Sequence, residues 1–176
     1  SDEVLTCVPF IKFYKNTVTV IGAKPGTGKT AFILSSALKL AEKGYKVMVI
    51  SLEMTSDRLT ARVIQTKTQI FAKRLISGEI TNEEYDTVKD LNLSENVLID
   101  EGIGVNSQNF KTRLVSLYKK YRFDVCYIDY FQKIPMVGKG SSVDLQFNLM
   151  ETQICAFAKE NSVAMLSPAA ASLDQF

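Results

Sequence analysis

The sequence predicts an α/β fold in which a mostly parallel central sheet carries helices on both of its faces. Short apolar runs alternate with segments of helical periodicity along the 176 residues, which is the pattern of parallel strands joined by crossover helices. Apolar residues make up 46% of the chain and charged residues 23%, so the composition is that of a globular protein rather than a disordered one. The length suits one domain with a substantial buried core, and we expect residues 1–176 to form that single domain.

Each strand is predicted from a short apolar run bounded by polar or turn-forming residues. The five predicted strands occupy residues 18–21, 47–50, 97–99, 125–128 and 163–166. Helices are predicted where apolar residues recur at spacings of three and four. These helices cover residues 30–43, 55–65, 110–121 and 147–157. The capping-box pattern Thr81-Asn82-Glu83-Glu84 marks one more helix start, and the proline, glycines and serines of 134–143 predict a loop.

Composition excludes several classes of site. The chain has no histidine, which rules out a Ser-His-Asp triad and a histidine-ligated metal. Three cysteines without a CxxC pair argue against a disulfide framework or a zinc site. Lys plus Arg number 21 against 19 Asp plus Glu, so the net charge does not indicate a nucleic-acid binder, although a local basic loop can still bind one.

Neither a membrane span nor a secretion signal is recognisable. No apolar stretch approaches the length of about 20 residues that a transmembrane helix needs. The N-terminus lacks the basic start and apolar block of a signal peptide. We therefore expect a cytoplasmic protein with no membrane partner.

The strongest motif is AKPGTGKT at residues 23–30, which fits the P-loop pattern with Ala23 where the first glycine usually stands. It follows a predicted strand and opens a predicted helix, so its backbone N–H groups and the positive helix end can cradle phosphate oxygens. An ordinary Gly-Pro turn before a helix is the alternative. The predicted nucleotide-binding residues are Lys24, Pro25, Gly26, Thr27, Gly28, Lys29, Thr30 and Ala31.

Two of these side chains have more specific predicted roles. Lys29 is expected to reach the β- and γ-phosphates, and Thr30 to ligate Mg²⁺ through its hydroxyl group. A P-loop needs a second magnesium partner at the end of a neighbouring strand. VCYIDY at 125–130 supplies Asp129 after an apolar run, which is a Walker B pattern. Many core strands also end in aspartate as a turn residue, so the Walker B interpretation of this motif depends on the presence of the P-loop.

Glu53 follows the predicted strand at 47–50. If that strand lies beside the P-loop strand, Glu53 sits at the carboxyl edge of the sheet, where ligands bind in open α/β folds. A carboxylate there can orient and deprotonate the water that attacks the γ-phosphate. The alternative is a surface glutamate, paired for example with Arg58.

These motifs together resemble a known family. The stretch AKPGTGKTAFILSSALKLAEKGYKVMVISLEM and the later IDYFQKI and ISGEITNEEYDTV are similar to the nucleotide site and adjoining segments of DnaB-type replicative helicases. That family belongs to the RecA-like group of P-loop ATPases. The similarity runs from about residue 17 to residue 167. Residues 1–16 are then an N-terminal lead-in, and residues 168–176 a truncated or atypical C-terminal end.

The resemblance implies an ATP hydrolase that uses Mg²⁺ and moves along single-stranded DNA as a homohexameric ring. It implies that Glu53 is the catalytic base, with Lys29 and Thr30 on the nucleotide and Asp129 on the metal. The loop after the fourth strand would face DNA, with Lys133 and Lys139 as phosphate contacts, although a solvated surface loop is equally compatible with its residues. Primase and a helicase loader are further expected partners.

Other functions remain open at this point. Pro168 stands where the family carries a glutamine that senses the γ-phosphate, and proline has no polar side chain with which to do so. No arginine of the chain matches the family's arginine finger. A nucleotide-binding regulatory or assembly module with weak or no hydrolysis is therefore an alternative, as is another RecA-like ATPase.

Overall fold

The computed structural model describes residues 4–8, 11–23, 26–91, 93, 95–138 and 142–170, with side chains described throughout except at 4–8, 11, 23 and 168–170. The strands within these ranges are β1 Val4–Val8, β2 Ile11–Tyr14, β3 Val18–Ala23, β4 Val47–Ser51, β5 Val97–Asp100, β6 Val125–Asp129 and β7 Ala164–Ala170. The helices are α1 Lys29–Glu42, α2 Ser56–Thr68, α3 Ala72–Ser77, α4 Asn82–Lys89, α5 Phe110–Tyr121 and α6 Val143–Asn161, with a short 3-10 turn at Phe131–Lys133. None of these helices combines the length and the apolar character needed to cross a lipid bilayer.

Five strands form the central sheet in the order β3-β7-β6-β4-β5. Every neighbouring pair in it is parallel, which confirms the predicted sheet. The connections between parallel strands must cross from one end of the sheet to the other, and helices fill most of them. All five strands therefore end at one common edge.

The core lies on both faces of this sheet, because alternate residues of a strand point to opposite sides. Met48 and Ile50 of β4 pack on the face covered by α5 and α6. Val47 and Val49 pack on the opposite face, against α1. The all-buried β4 and β6 are thus apolar along most of their length, as expected of strands covered on both sides.

The order of the strands contradicts one expectation from the sequence. Placing the strands that carry Glu53 and Asp129 directly beside the P-loop strand is wrong, because β7 lies between β3 and β6, and β4 lies beyond β6. The end of β4 and Asp129 still lie at the same edge of the sheet as the P-loop, because all five strands run in one direction. Ser51 pairs with Asp129 across β4 and β6.

The β1–β2 pair and the helix α3 have no counterpart in the sequence-based prediction. The sequence predicts only a lead-in without strands at residues 1–16. In the structure β1 and β2 form an antiparallel pair, with Val4 opposite Tyr14. The short helix α3 also lacks a sequence signal. The capping box at the start of α4 is confirmed, because the Thr81 hydroxyl accepts the Glu84 N–H and the Glu84 carboxylate accepts the Thr81 N–H.

A buried hydrogen bond joins α1 to the sheet and provides a test of the packing. The Tyr127 hydroxyl lies 2.7 Å from Ser36 Oγ, and Ser36 Oγ donates to the carbonyl oxygen of Ile33 at 3.0 Å. Tyr127→Phe is expected to lower the free energy of unfolding by about 1 kcal/mol, the usual net value of such a bond. Urea unfolding measures the change, with Tyr85→Phe on the exposed side of α4 as the matched control. Equal losses in the two variants would contradict the prediction.

Candidate active site

The predicted phosphate-binding loop lies between β3 and α1, at the carboxyl edge of the sheet. Gly26 and Gly28 adopt φ angles of 78° and 91°, a region that side chains disfavour and glycine enters freely. Thr27 lies exposed between them, and Ala31 is exposed in the first turn of α1. The predicted binding residues Lys24 and Pro25 lie outside the described residues. The described part of the motif thus has the curled backbone that the phosphate interpretation requires.

The start of α1 adds a positive field to this loop. The Phe32 N–H donates to the carbonyl oxygen of Gly28 at 2.9 Å, so the earlier N–H groups of the helix have no acceptor within it. No side chain among the described residues caps this end, and its first turn carries no acidic residue. Uncapped N–H groups and the helix dipole together favour an anion at this position.

Thr30 and Asp129, both predicted site residues, are in direct contact. The Thr30 hydroxyl donates to Asp129 Oδ2 at 3.2 Å, although the two residues are 99 positions apart in the sequence. Only 2% of the Asp129 surface is exposed. Burial raises the pKa of the Asp129 carboxyl, the charge of Glu53 raises it further, and the Thr30 hydroxyl and the nearby Lys29 and Arg62 partly oppose the rise.

The pair is chemically suited to a magnesium ion. Mg²⁺ takes oxygen ligands and is usually held by one or two protein oxygens, with water and substrate phosphates completing its shell. A hydroxyl group and a desolvated carboxylate fit that requirement. No group of three or more His, Cys, Asp or Glu side chains suited to a metal occurs among the described residues, and this mode of binding does not need one.

Glu53 lies in the same cavity as the phosphate loop. The cavity has a volume of about 670 Å³, and Gly26, Gly28, Lys29 and Thr30 form one wall of it. The rest of the lining comes from Glu53, Met54, Arg58, Arg62 and Tyr130. Glu53 is exposed, so its carboxylate is accessible to water from the cavity.

A tight turn after β4 sets the position of Glu53. Ser51 Oγ donates to the carbonyl oxygen of Met54 at 2.7 Å and accepts the Met54 N–H at 3.1 Å. The Leu52 N–H donates to the carbonyl oxygen of Asp129 at 2.9 Å. The residues on both sides of Glu53 are therefore fixed, Met54 by Ser51 and Leu52 by the backbone of Asp129.

Arg58 and Arg62 were not predicted as site residues. They lie one turn apart on α2, and both line the cavity beside Glu53. The ion pairs among the described residues do not include one between Glu53 and Arg58, so the alternative of a surface pair gains no support. The only sequence signal for the two arginines is their spacing of four, which also suits a solvated helix face.

Tyr130 is a further cavity residue, and no sequence motif assigns it to the site. The ammonium group of Lys29 lies 4.8 Å from the centre of its ring, and that of Lys133 lies 5.5 Å from the same centre. These are cation–π distances. Lys133 is exposed, and its contact with DNA stays a prediction. Lys139 lies outside the described residues.

Pro168 sits within β7, opposite Ile21 of β3. The Ala164 N–H donates to the carbonyl oxygen of Asp124, and N–H groups alternate along a strand, so position 168 faces the carbonyl oxygen of Ile128. Proline has no N–H to donate there. The Ser167 hydroxyl donates to that oxygen instead, at 3.3 Å, and accepts the Phe131 N–H at 3.3 Å.

Comparison with known proteins finds relatives that are described as replicative DNA helicases. Replicative DNA helicase DnaC of Bacillus subtilis is 31% identical over 136 residues, an alignment that covers 75% of this chain and 30% of the relative. The probable replicative DNA helicase of Guillardia theta is 26% identical over 157 residues, covering 86% of this chain and 26% of the relative. The chain thus spans about a quarter to a third of the length of these curated relatives.

Solved structures share the fold. One described as an ATPase domain superposes with a TM-score of 0.77 at 22% identity, over 92% of this chain and 60% of that one. A DnaB-like replicative helicase, described together with its interactions with primase, gives 0.75 at 20% identity, over 91% of this chain and 40% of that one. The predicted RecA-like fold is therefore confirmed.

A family model described as the DnaB-like helicase C-terminal domain matches residues 11–172. This match includes the phosphate loop, the turn that carries Glu53 and the strand that ends in Asp129. Since it covers most of the sequence, the chain belongs to the family of DnaB-like helicase C-terminal domains.

Proposed function

We propose that this chain is the ATP-binding and ATP-hydrolysing core of a replicative DNA helicase, which couples Mg-ATP hydrolysis to movement along single-stranded DNA. One observation carries the proposal. Lys29, Thr30 and Glu53 line one cavity, and the buried Asp129, from a third segment, accepts the hydroxyl of Thr30 in that lining. Family membership supports the same function.

Each group then has a distinct task. The N–H groups around Gly28 and the ammonium group of Lys29 bind the β- and γ-phosphates. Thr30 and Asp129 hold Mg²⁺, which when bound neutralises charge on the phosphate oxygens. Glu53 orients a water molecule for attack on the γ-phosphate and accepts its proton.

The two arginines of α2 add positive charge to the same cavity. Arg58 and Arg62 are exposed side chains in its lining, so their guanidinium groups are available to a bound triphosphate. Charge-assisted hydrogen bonds from guanidinium to phosphate are among the stronger polar contacts in proteins. We assign them to nucleotide binding on this basis.

The remaining partners follow from the family. We propose a homohexameric ring around single-stranded DNA, with Lys133, Lys139 and the loop between them on the DNA side. Primase is a proposed partner because a similar solved structure is described with it, and a helicase loader is another. A cytoplasmic location suits Cys126 and Cys155, which are both free thiols.

ATP turnover with and without DNA tests this function. Single-stranded DNA is expected to raise the Mg²⁺-dependent turnover severalfold, because contact with the DNA-side loop is coupled to the site, whereas duplex DNA of equal length serves as the control. Lys133→Ala is expected to reduce the ratio of stimulated to unstimulated turnover, and Lys89→Ala on α4 to leave that ratio unchanged. ATP binding without turnover and without a DNA effect would favour a regulatory nucleotide-binding module instead.

A further inference from the structure

We propose that Glu101 is a positioning residue for Glu53: together with Gly102 it clamps the turn on which Glu53 stands. The inference rests on the proposed role of Glu53 as the base for ATP hydrolysis. It concerns residues in the loop after β5, which no sequence motif connects with the site.

The first observation is a cap supplied from outside the helix. Glu101 Oε1 accepts both the backbone N–H of Ser56, at 2.7 Å, and the Ser56 hydroxyl, at 2.6 Å. Ser56 is the first residue of α2, and the side chain of the preceding Thr55 makes no capping bond. Hydrogen bonds from Ser56 hold the pKa of the Glu101 carboxyl below its usual range. An ionised carboxylate at a helix start also has a favourable interaction with the helix dipole.

The second observation is the close approach of Gly102 to Leu52, the residue that precedes Glu53. A Cβ atom at Gly102 would overlap Leu52 Cδ2, so any side chain at this position would displace Leu52. Gly102 also has a φ of 60°, which favours glycine, and it donates its N–H to Asp100 Oδ2 at 3.2 Å. Asp100 is in turn ion-paired with Arg113, and this pair anchors the loop after β5 to the helix α5.

Together these contacts fix both ends of the segment that carries Glu53. Upstream, Leu52 is held between Gly102 and the carbonyl oxygen of Asp129. Downstream, Ser56 is held by Glu101. Only residues 53–55 lie between the two anchors. Loss of the downstream anchor leaves the start of α2 uncapped and lets the Glu53 carboxylate move relative to the phosphate loop, and displacements of about 1 Å can cost on the order of a hundredfold in rate.

Glu101→Ala tests the inference against a matched control. We expect kcat for ATP hydrolysis to fall about tenfold while KM for ATP stays within about twofold, because positioning of the base acts on the chemical step. Glu101→Gln keeps an acceptor for Ser56 and is expected to restore most of kcat. Glu84→Ala removes a capping carboxylate on α4 that also pairs with Arg74. Glu84 is not in the cavity lining, so the change is expected to leave kcat unchanged.

A double variant separates positioning from general loss of structure. In a Glu53→Gln background, Glu101→Ala is expected to cause no further fall in kcat, because the group that it positions is already inactive. A further tenfold fall there would overturn the inference. Hydrogen exchange of the amides of residues 53–57 provides an independent readout, with faster exchange expected in Glu101→Ala and parental exchange in Glu84→Ala.

The outcomes distinguish this inference from the proposed function. If Glu53→Gln lowers turnover but Glu101→Ala changes neither kcat nor the amide exchange of 53–57, the positioning role is wrong and the function stands. If Glu53→Gln hydrolyses ATP like the parent chain, the role of Glu53 as the base and the positioning role of Glu101 are both wrong, whereas the ATP-hydrolysing function stands. Should Glu101→Ala fold poorly, Ser56→Ala removes one of the two bonds and is expected to give a smaller fall in kcat, again without a change in KM.

Discussion

Glu53→Gln is expected to leave nucleotide binding intact and to lower ATP turnover by at least about tenfold. Glutamine keeps the size of the side chain and its ability to accept a hydrogen bond from water, but it cannot take up the proton. General bases typically contribute about a hundredfold or more to rate. Binding is spared because the proposed phosphate contacts come from the loop at 26–30 and from Arg58 and Arg62, and not from Glu53. Single-turnover hydrolysis and titration with a fluorescent nucleotide measure the two properties separately.

The matched control for this substitution is Glu160→Gln. Glu160 is exposed near the end of α6, so the change removes the same charge from the chain without touching the cavity. Its turnover should equal that of the parent. Equal turnover in Glu53→Gln as well would remove Glu53 from the mechanism.

Lys29→Ala is expected to abolish tight nucleotide binding. Lys29 is the lysine of the predicted phosphate-binding loop, and its ammonium group is expected to bind the phosphates. Each hydrogen bond to a charged group contributes about 1.5–3 kcal/mol. With two phosphate groups contacted, Kd for ATP should rise on the order of a hundredfold or more. Calorimetric titration with ATP and Mg²⁺ measures this change.

Lys133→Ala is the informative comparison for Lys29→Ala. Both lysines lie over the ring of Tyr130, so each substitution removes one positive charge near the cavity. Only Lys29 belongs to the phosphate loop. A specific phosphate contact predicts a much larger rise in Kd for Lys29→Ala, whereas similar rises would show that the cavity binds ATP by its general positive charge.

The sequence is most informative where chemistry and local structure coincide. Thr30 and Asp129 can be paired without coordinates because a phosphate loop requires both, and because parallel strands end at one edge of the sheet. The capping box at Thr81 is predictable for a similar reason, since all of its hydrogen bonds lie within four consecutive residues.

The features that escape prediction depend on contacts between distant segments. Crossover connections do not determine strand order, so the insertion of β7 between β3 and β6 has no local signal. Arg58 and Arg62 resemble any charged pair on a helix until α2 is placed beside the phosphate loop. Glu101 and Ser56 are 45 positions apart, and their bond follows only from the parallel pairing of β4 with β5.

Asp129 uses two different oxygen atoms for two different neighbours. Its carboxylate accepts the Thr30 hydroxyl, and its carbonyl oxygen accepts the Leu52 N–H. Asp129 thereby contacts both Thr30, the proposed second metal ligand, and the segment that carries Glu53, the proposed base. If subunits of the proposed ring open and close, Asp129 and the segment that carries Glu53 move together. Changes in geometry during the cycle would then occur in the predicted phosphate-binding loop and in groups that other subunits contribute.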